Sequence, residues 1–63
     1  MELITKRVAQ VIREKRKQIG LSQEALAEKA DIDRTYVSLI ERAKVNITLV
    51  VASKIASALG LPL

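Results

Sequence analysis

The chain contains no cysteine and no histidine. A disulfide staple is therefore excluded, and so is a structural zinc held by thiolate and imidazole ligands. Aromatic residues make up 2% of the chain, so the 49% that is hydrophobic must build an aliphatic core of Leu, Ile, Val and Ala. No apolar run approaches the roughly 18 to 20 residues a membrane span requires. The opening Met1-Glu2-Leu3 begins an amphipathic pattern rather than a signal peptide, so a cytoplasmic location is the default expectation. A glycine-rich phosphate loop is missing, and no carboxylate pair lies outside surface positions. An enzyme is therefore not expected, and neither cofactor, metal nor small-molecule ligand is indicated. Repeats, linkers and low-complexity segments are absent too. With 63 residues, the chain is one domain at most, in a size range where only about 60% of the unfolded surface can be buried.

Positive charge is in excess. Lys and Arg number 11 against 7 Asp and Glu, giving a net charge of +4 and a pI near 9.9. On so small a body this suits an anionic partner such as nucleic acid, and equally a soluble surface with a few extra lysines. The run Lys15-Arg16-Lys17 reads as a solvated helix face, Arg16 excepted.

Apolar spacing predicts four helices, over about 4–19, 22–30, 33–42 and 48–59. In the first, Ile4, Val8, Val11, Ile12 and Ile19 form the stripe, and Gly20 ends it with Leu21 folding back. Ser22 caps the second, whose Leu26 and Ala30 face inward and whose Ala27 marks a close helix crossing. Asp31-Ile32-Asp33 is a tight turn, with Asp33 capping the third helix over buried Val37 and Ile40. Thr48 caps the fourth, with Leu49, Ala52, Ile55, Ala56 and Leu59 inward, ended by Gly60 and stopped by Pro62. The β-branched stretch from Val45 to Val51 would also suit a strand, but nothing elsewhere offers it a partner. The Asn46-Ile47-Thr48 glycosylation triplet is a chance match in a cytosolic chain. The fold class is all-α, a compact bundle of four short helices with a fifth as the alternative count. The narrow apolar stripe of the third leaves Arg34, Thr35, Ser38 and Leu39 on a spare face.

Five motifs then line up at mutually consistent spacing: Ile12-Arg13 with Arg16, Gly20-Leu21-Ser22-Gln23, Leu26-Ala27, Tyr36-Val37-Ser38 with Ile40-Glu41-Arg42, and Lys54-Ile55-Ala56 with Ala58-Leu59-Gly60. Together they resemble the lambda-repressor-like, Cro-type (XRE) helix-turn-helix family of phage repressors, controller proteins and small bacterial regulators. The resemblance covers almost the whole chain. It implies a transcriptional regulator that binds double-stranded DNA, with the third helix in the major groove. By position, Gln23, Arg34, Thr35, Ser38 and Leu39 would meet bases. Arg34 suits guanine, Thr35 and Ser38 hydrogen-bond or touch a thymine methyl, and Leu39 touches a methyl. Gln23 suits either a phosphate or an outer base pair. Ser22, Tyr36, Arg42 and Lys44 would meet the backbone, Tyr36 being equally suited to packing. Arg16 and Glu41 match a partly buried ion pair of the family.

The chain departs from that pattern in one region. Asp31 and Ala43 stand where relatives usually carry glycine, so Ala43 is expected either to extend the third helix or to reshape the loop. Val45, Ile47, Val50 and Val51 are more apolar than the family pattern, and Ala52 is smaller. Either Val51 turns inward beside Ala52, or the four form an exposed patch for a partner, a homodimer on an inverted repeat being the expected use. The sequence stops at Leu63, before the fifth helix on which many relatives dimerise, which suits a truncation, a minimal domain or dimerisation through that patch alike. A protein-interaction module, antitoxin-like or oligomerising, with a weakened DNA face is the other reading the patch supports.

Overall fold

The computed structural model describes residues 2–61, with side chains from Thr5 onward. Four helices follow one another: α1 (Glu2–Gln18), α2 (Gln23–Ala30), α3 (Arg34–Glu41) and α4 (Leu49–Leu59). The inward position expected of Ile4 and the stop assigned to Pro62 lie outside the described residues. No helix among the described residues is long and apolar enough to cross a membrane.

Each of the three helices after α1 starts on the residue its sequence signals. Ser22 Oγ accepts from the Ala25 N–H at 3.0 Å, Asp33 Oδ1 from the Thr35 N–H at 2.7 Å, and Thr48 Oγ1 from the Val51 N–H at 3.1 Å. Each bond satisfies a donor that the first helical turn leaves orphaned.

All four helices end alike. A left-handed residue closes each one, at Gly20, Asp31, Ala43 and Gly60. The N–H of the next residue reaches five residues back: Leu21 to the Arg16 carbonyl, Ile32 to Ala27, Lys44 to Leu39 and Leu61 to Ala56, at 2.8 to 3.0 Å. This is the Schellman closure, in which an apolar residue after the left-handed one normally returns to the body. Leu21, Ile32 and Leu61 do so, while Lys44 is exposed. Ala43 therefore neither extends α3 nor remodels the loop. It adopts φ +57 itself, taking the place of a glycine at a cost of about 1 to 2 kcal/mol.

The core is aliphatic. Leu26, Val37 and Ile55 are its fully buried centre, with Ile12, Ala27, Ala30, Ile40, Ala58 and Leu59 around them. Buried Ala27 lets α2 lie close to its neighbours, α3 and α4. On α1 the inward face runs through Val8, Ile12 and Arg16 at four-residue spacing, with Ala9 beside it. Val11 and Ile19, assigned inward from the sequence, are 44% and 43% exposed. Adjacent residues on a helix diverge by about 100°, so Val11 cannot share the centre that Ile12 holds. Ile19 falls beyond the last helical residue.

The α3–α4 region corrects two further expectations. Leu49, expected inward, is 83% exposed, because the inward face of α4 is centred on Ile55 and Leu49 lies roughly 120° away from it. Val51, one turn before Ile55, occupies the inward position instead. Val45, Ile47 and Val51 are half-buried and packed against the core, so these three do not form an outward patch with Val50. The apolar surface that does face out at the start of α4 is Leu49 with Val50, the latter 66% exposed. The loop before α4 is tied back to α1 by Thr5 Oγ1 donating to Asn46 Oδ1 at 3.4 Å.

Candidate nucleic-acid interface

On α3 the buried positions are Val37, Ile40 and Glu41, one stripe at three- and four-residue spacing. Apart from Tyr36, the rest of the helix borders the surface. Arg34, Thr35 and Arg42 are exposed, and Ser38 and Leu39 are half-buried beside them. Lys44 and Ser22 are exposed, whereas Gln23 and Tyr36 are half-buried. Tyr36 packs against the core, the first of its two expected roles. Arg34, at the N-terminal tip of α3, and the first turn of α2 border one open groove of about 600 Å³.

The inner end of this face rests on a buried ion pair. Arg16 Nε donates to Glu41 Oε2 at 2.7 Å and Nη2 donates to Oε1 at 3.0 Å, a two-point contact between a planar fork and a carboxylate. Arg16 Nη1 donates in addition to the Leu21 carbonyl at 2.8 Å. The two side chains are 10% and 2% exposed. Glu41 holds the Arg16 guanidinium above its ordinary arginine range through these hydrogen bonds, against the opposing effect of burial. One guanidinium thus joins the end of α1, the α1–α2 turn and the end of α3.

Gln23 is a third member of this group. Its Nε2 donates to Glu41 Oε1 at 3.1 Å, so the amide assigned from sequence to DNA is also bound to the interior. Periodicity carries no signal for this contact. The ion pair is signalled by the family resemblance, and Arg16 falls in the apolar register of α1. Among the described residues no cluster of metal-binding side chains occurs.

A helix capped by Asp33, braced at its far end by a buried ion pair and facing outward with polar side chains defines a helix-turn-helix. The helix-turn-helix family model matches residues 12–63. The chain belongs to the XRE-type helix-turn-helix family of DNA-binding transcriptional regulators. An HTH-type transcriptional regulator of Methanothermobacter thermautotrophicus is 42% identical over 79% of this chain and 72% of its own length. The control protein C.MunI of a Mycoplasma species is 45% identical over 78% of this chain and 66% of its own. Among solved structures, the restriction-modification controller protein C.AhdI of Aeromonas hydrophila superposes with a TM-score of 0.92 at 40% identity, covering 95% of this chain and 91% of that one.

Proposed function

We propose that the chain acts in the cytoplasm as a controller-type regulator, binding an inverted-repeat operator as a homodimer. Each copy lays α3 in the major groove. Arg34, Thr35, Ser38 and Leu39 meet base edges, while Ser22, Arg42 and Lys44 engage the sugar-phosphate backbone. The Ser22 hydroxyl accepts from the Ala25 N–H and keeps its own hydrogen to donate to a phosphate. Leu49 and Val50 join the two copies.

The observation that carries the reading is the division of α3 into one stripe held by the core and the ion pair and one polar face turned to solvent. The whole-chain likeness to C.AhdI supports the controller role. The test is a salt titration with mixed-sequence duplex DNA, run beside sedimentation of the free protein. A steep linear fall of log affinity against log salt is expected, together with a dimer. No binding at low salt would leave a protein-interaction module as the reading, and a monomer at the concentrations where DNA is bound would remove Leu49 and Val50 from the scheme.

A further inference from the structure

We infer that Gln23 reads an adenine in the major groove, its amide being locked by Glu41 so that the carbonyl oxygen faces the DNA. This deepens the proposed DNA-binding role and rests on it.

Glu41 lies in the interior as the anion of an ion pair, with both oxygens accepting from Arg16. A carboxylate in that state only accepts. The amide beside it must present nitrogen, since the reverse orientation would set oxygen against oxygen in a buried site. The observed bond from Nε2 to Oε1 fits that requirement. Among the described residues Gln23 Oε1 has no hydrogen-bond partner, and no buried side-chain oxygen or nitrogen lacks one. Oε1 therefore opens to solvent, at the groove that α2 shares with Arg34.

What remains free on Gln23 is one acceptor and one N–H. Adenine presents the complement in the major groove, a 6-amino donor beside the N7 acceptor. A phosphate presents acceptors alone, which would answer the free N–H of Gln23 but leave its Oε1 acceptor without a donor. The groove thus offers an acceptor at Gln23 and donors at Arg34, one suited to adenine and the other to guanine.

The test starts from a random duplex pool selected with the wild-type protein and with Gln23→Ala. The wild type should enrich an adenine at one position per half-site, and Gln23→Ala should lose that preference while retaining the guanine. On the selected duplex, replacing that adenine by a purine without the 6-amino group should weaken wild-type binding about tenfold. The same replacement should leave Gln23→Ala unaffected. This duplex-side change needs only the wild-type protein, so unchanged affinity overturns the adenine assignment even if Gln23→Ala folds poorly. Glu41→Gln, studied at a temperature where it stays folded, lets the Gln23 amide turn over and should relax the same position alone. Unchanged base preference in that variant would overturn the orienting role of Glu41. An identical motif from Gln23→Ala, or a uniform loss across sequences, would overturn the adenine assignment while leaving DNA binding intact. Failure of the wild type to enrich any sequence would overturn the DNA-binding role itself.

Discussion

Replacing Glu41 with alanine removes the acceptor of three hydrogen bonds at once, two from Arg16 and one from Gln23. Arg16 keeps one bond, from Nη1 to the Leu21 carbonyl, and stays 8% exposed in the native arrangement with its charge uncompensated. Breaking a buried pair in this way costs about 3 to 5 kcal/mol. A domain of this size has a total stability of about 3 to 9 kcal/mol. The loss is therefore comparable with everything that holds the fold. At about 4 to 8 °C per kcal/mol, the thermal midpoint of Glu41→Ala should drop by at least about 12 °C. Circular dichroism at 222 nm followed through heating, repeated with urea, measures it. Removing both charges in Arg16→Met/Glu41→Leu should recover much of the deficit, since the stranded charge is then gone. The sign with pH also follows. The raised Arg16 value makes its contribution complete below the ordinary arginine range and lost only as pH climbs through that value, so Arg16 should introduce no drift in the deficit between pH 6 and 9. A midpoint for Glu41→Ala within a few degrees of wild type would refute the reasoning.

Ala43→Gly should stabilise the protein. It relieves about 1 to 2 kcal/mol of left-handed strain and gives back about 0.4 to 1 through a looser unfolded chain, leaving about 0.5 to 1 kcal/mol and a midpoint several degrees higher; a lower midpoint would contradict this. Leu49→Glu should leave the monomer fold intact and shift sedimentation from dimer to monomer, because the side chain is 83% exposed. A variant that remains dimeric would move the interface elsewhere. Arg34→Ala should lose about 1 to 3 kcal/mol on the selected operator with relaxed choice at one base pair, whereas equal weakening on every duplex would assign Arg34 to phosphate.

Much of this architecture is legible in the residues, and the errors share a cause. Ser22, Asp33 and Thr48 act as caps because hydroxyl and carboxylate oxygens at a helix start have a local partner, needing no knowledge of the tertiary fold. Val37, Ile40, Ile55 and Leu59 are buried as their spacing predicts. Leu49, Val11 and Ile19 are misplaced by the same reasoning because hydrophobicity says that a residue prefers burial, not that its direction coincides with a neighbouring helix. Too many aliphatic residues compete for each inward face in this chain, and the angle to the buried centre decides among them. Ala9 and Ala58, buried but absent from the expected core, are the counterpart: small side chains where helices approach carry little hydrophobic signal. The site divides similarly. Its exposed residues follow from helix position, but the bond from Gln23 to Glu41 joins residues on separate helices and emerges only when α2 and α3 are docked.

That docking has a kinetic side. Arg16 gains its partner only when the end of α1, the following turn and the end of α3 are all in place, because its three bonded nitrogens each face a different oxygen of that assembly. If α3 swings away, the guanidinium and the carboxylate both lose their compensation, and Gln23 loses its anchor on α2. Partial openings that detach one helix alone are thereby penalised more heavily than their lost apolar contacts would dictate. The amides of α2 and α3 should then exchange with solvent deuterium as one cooperative unit, at a free energy close to that of global unfolding. A short helix, too small to persist by itself, thus acquires the lifetime of the whole domain.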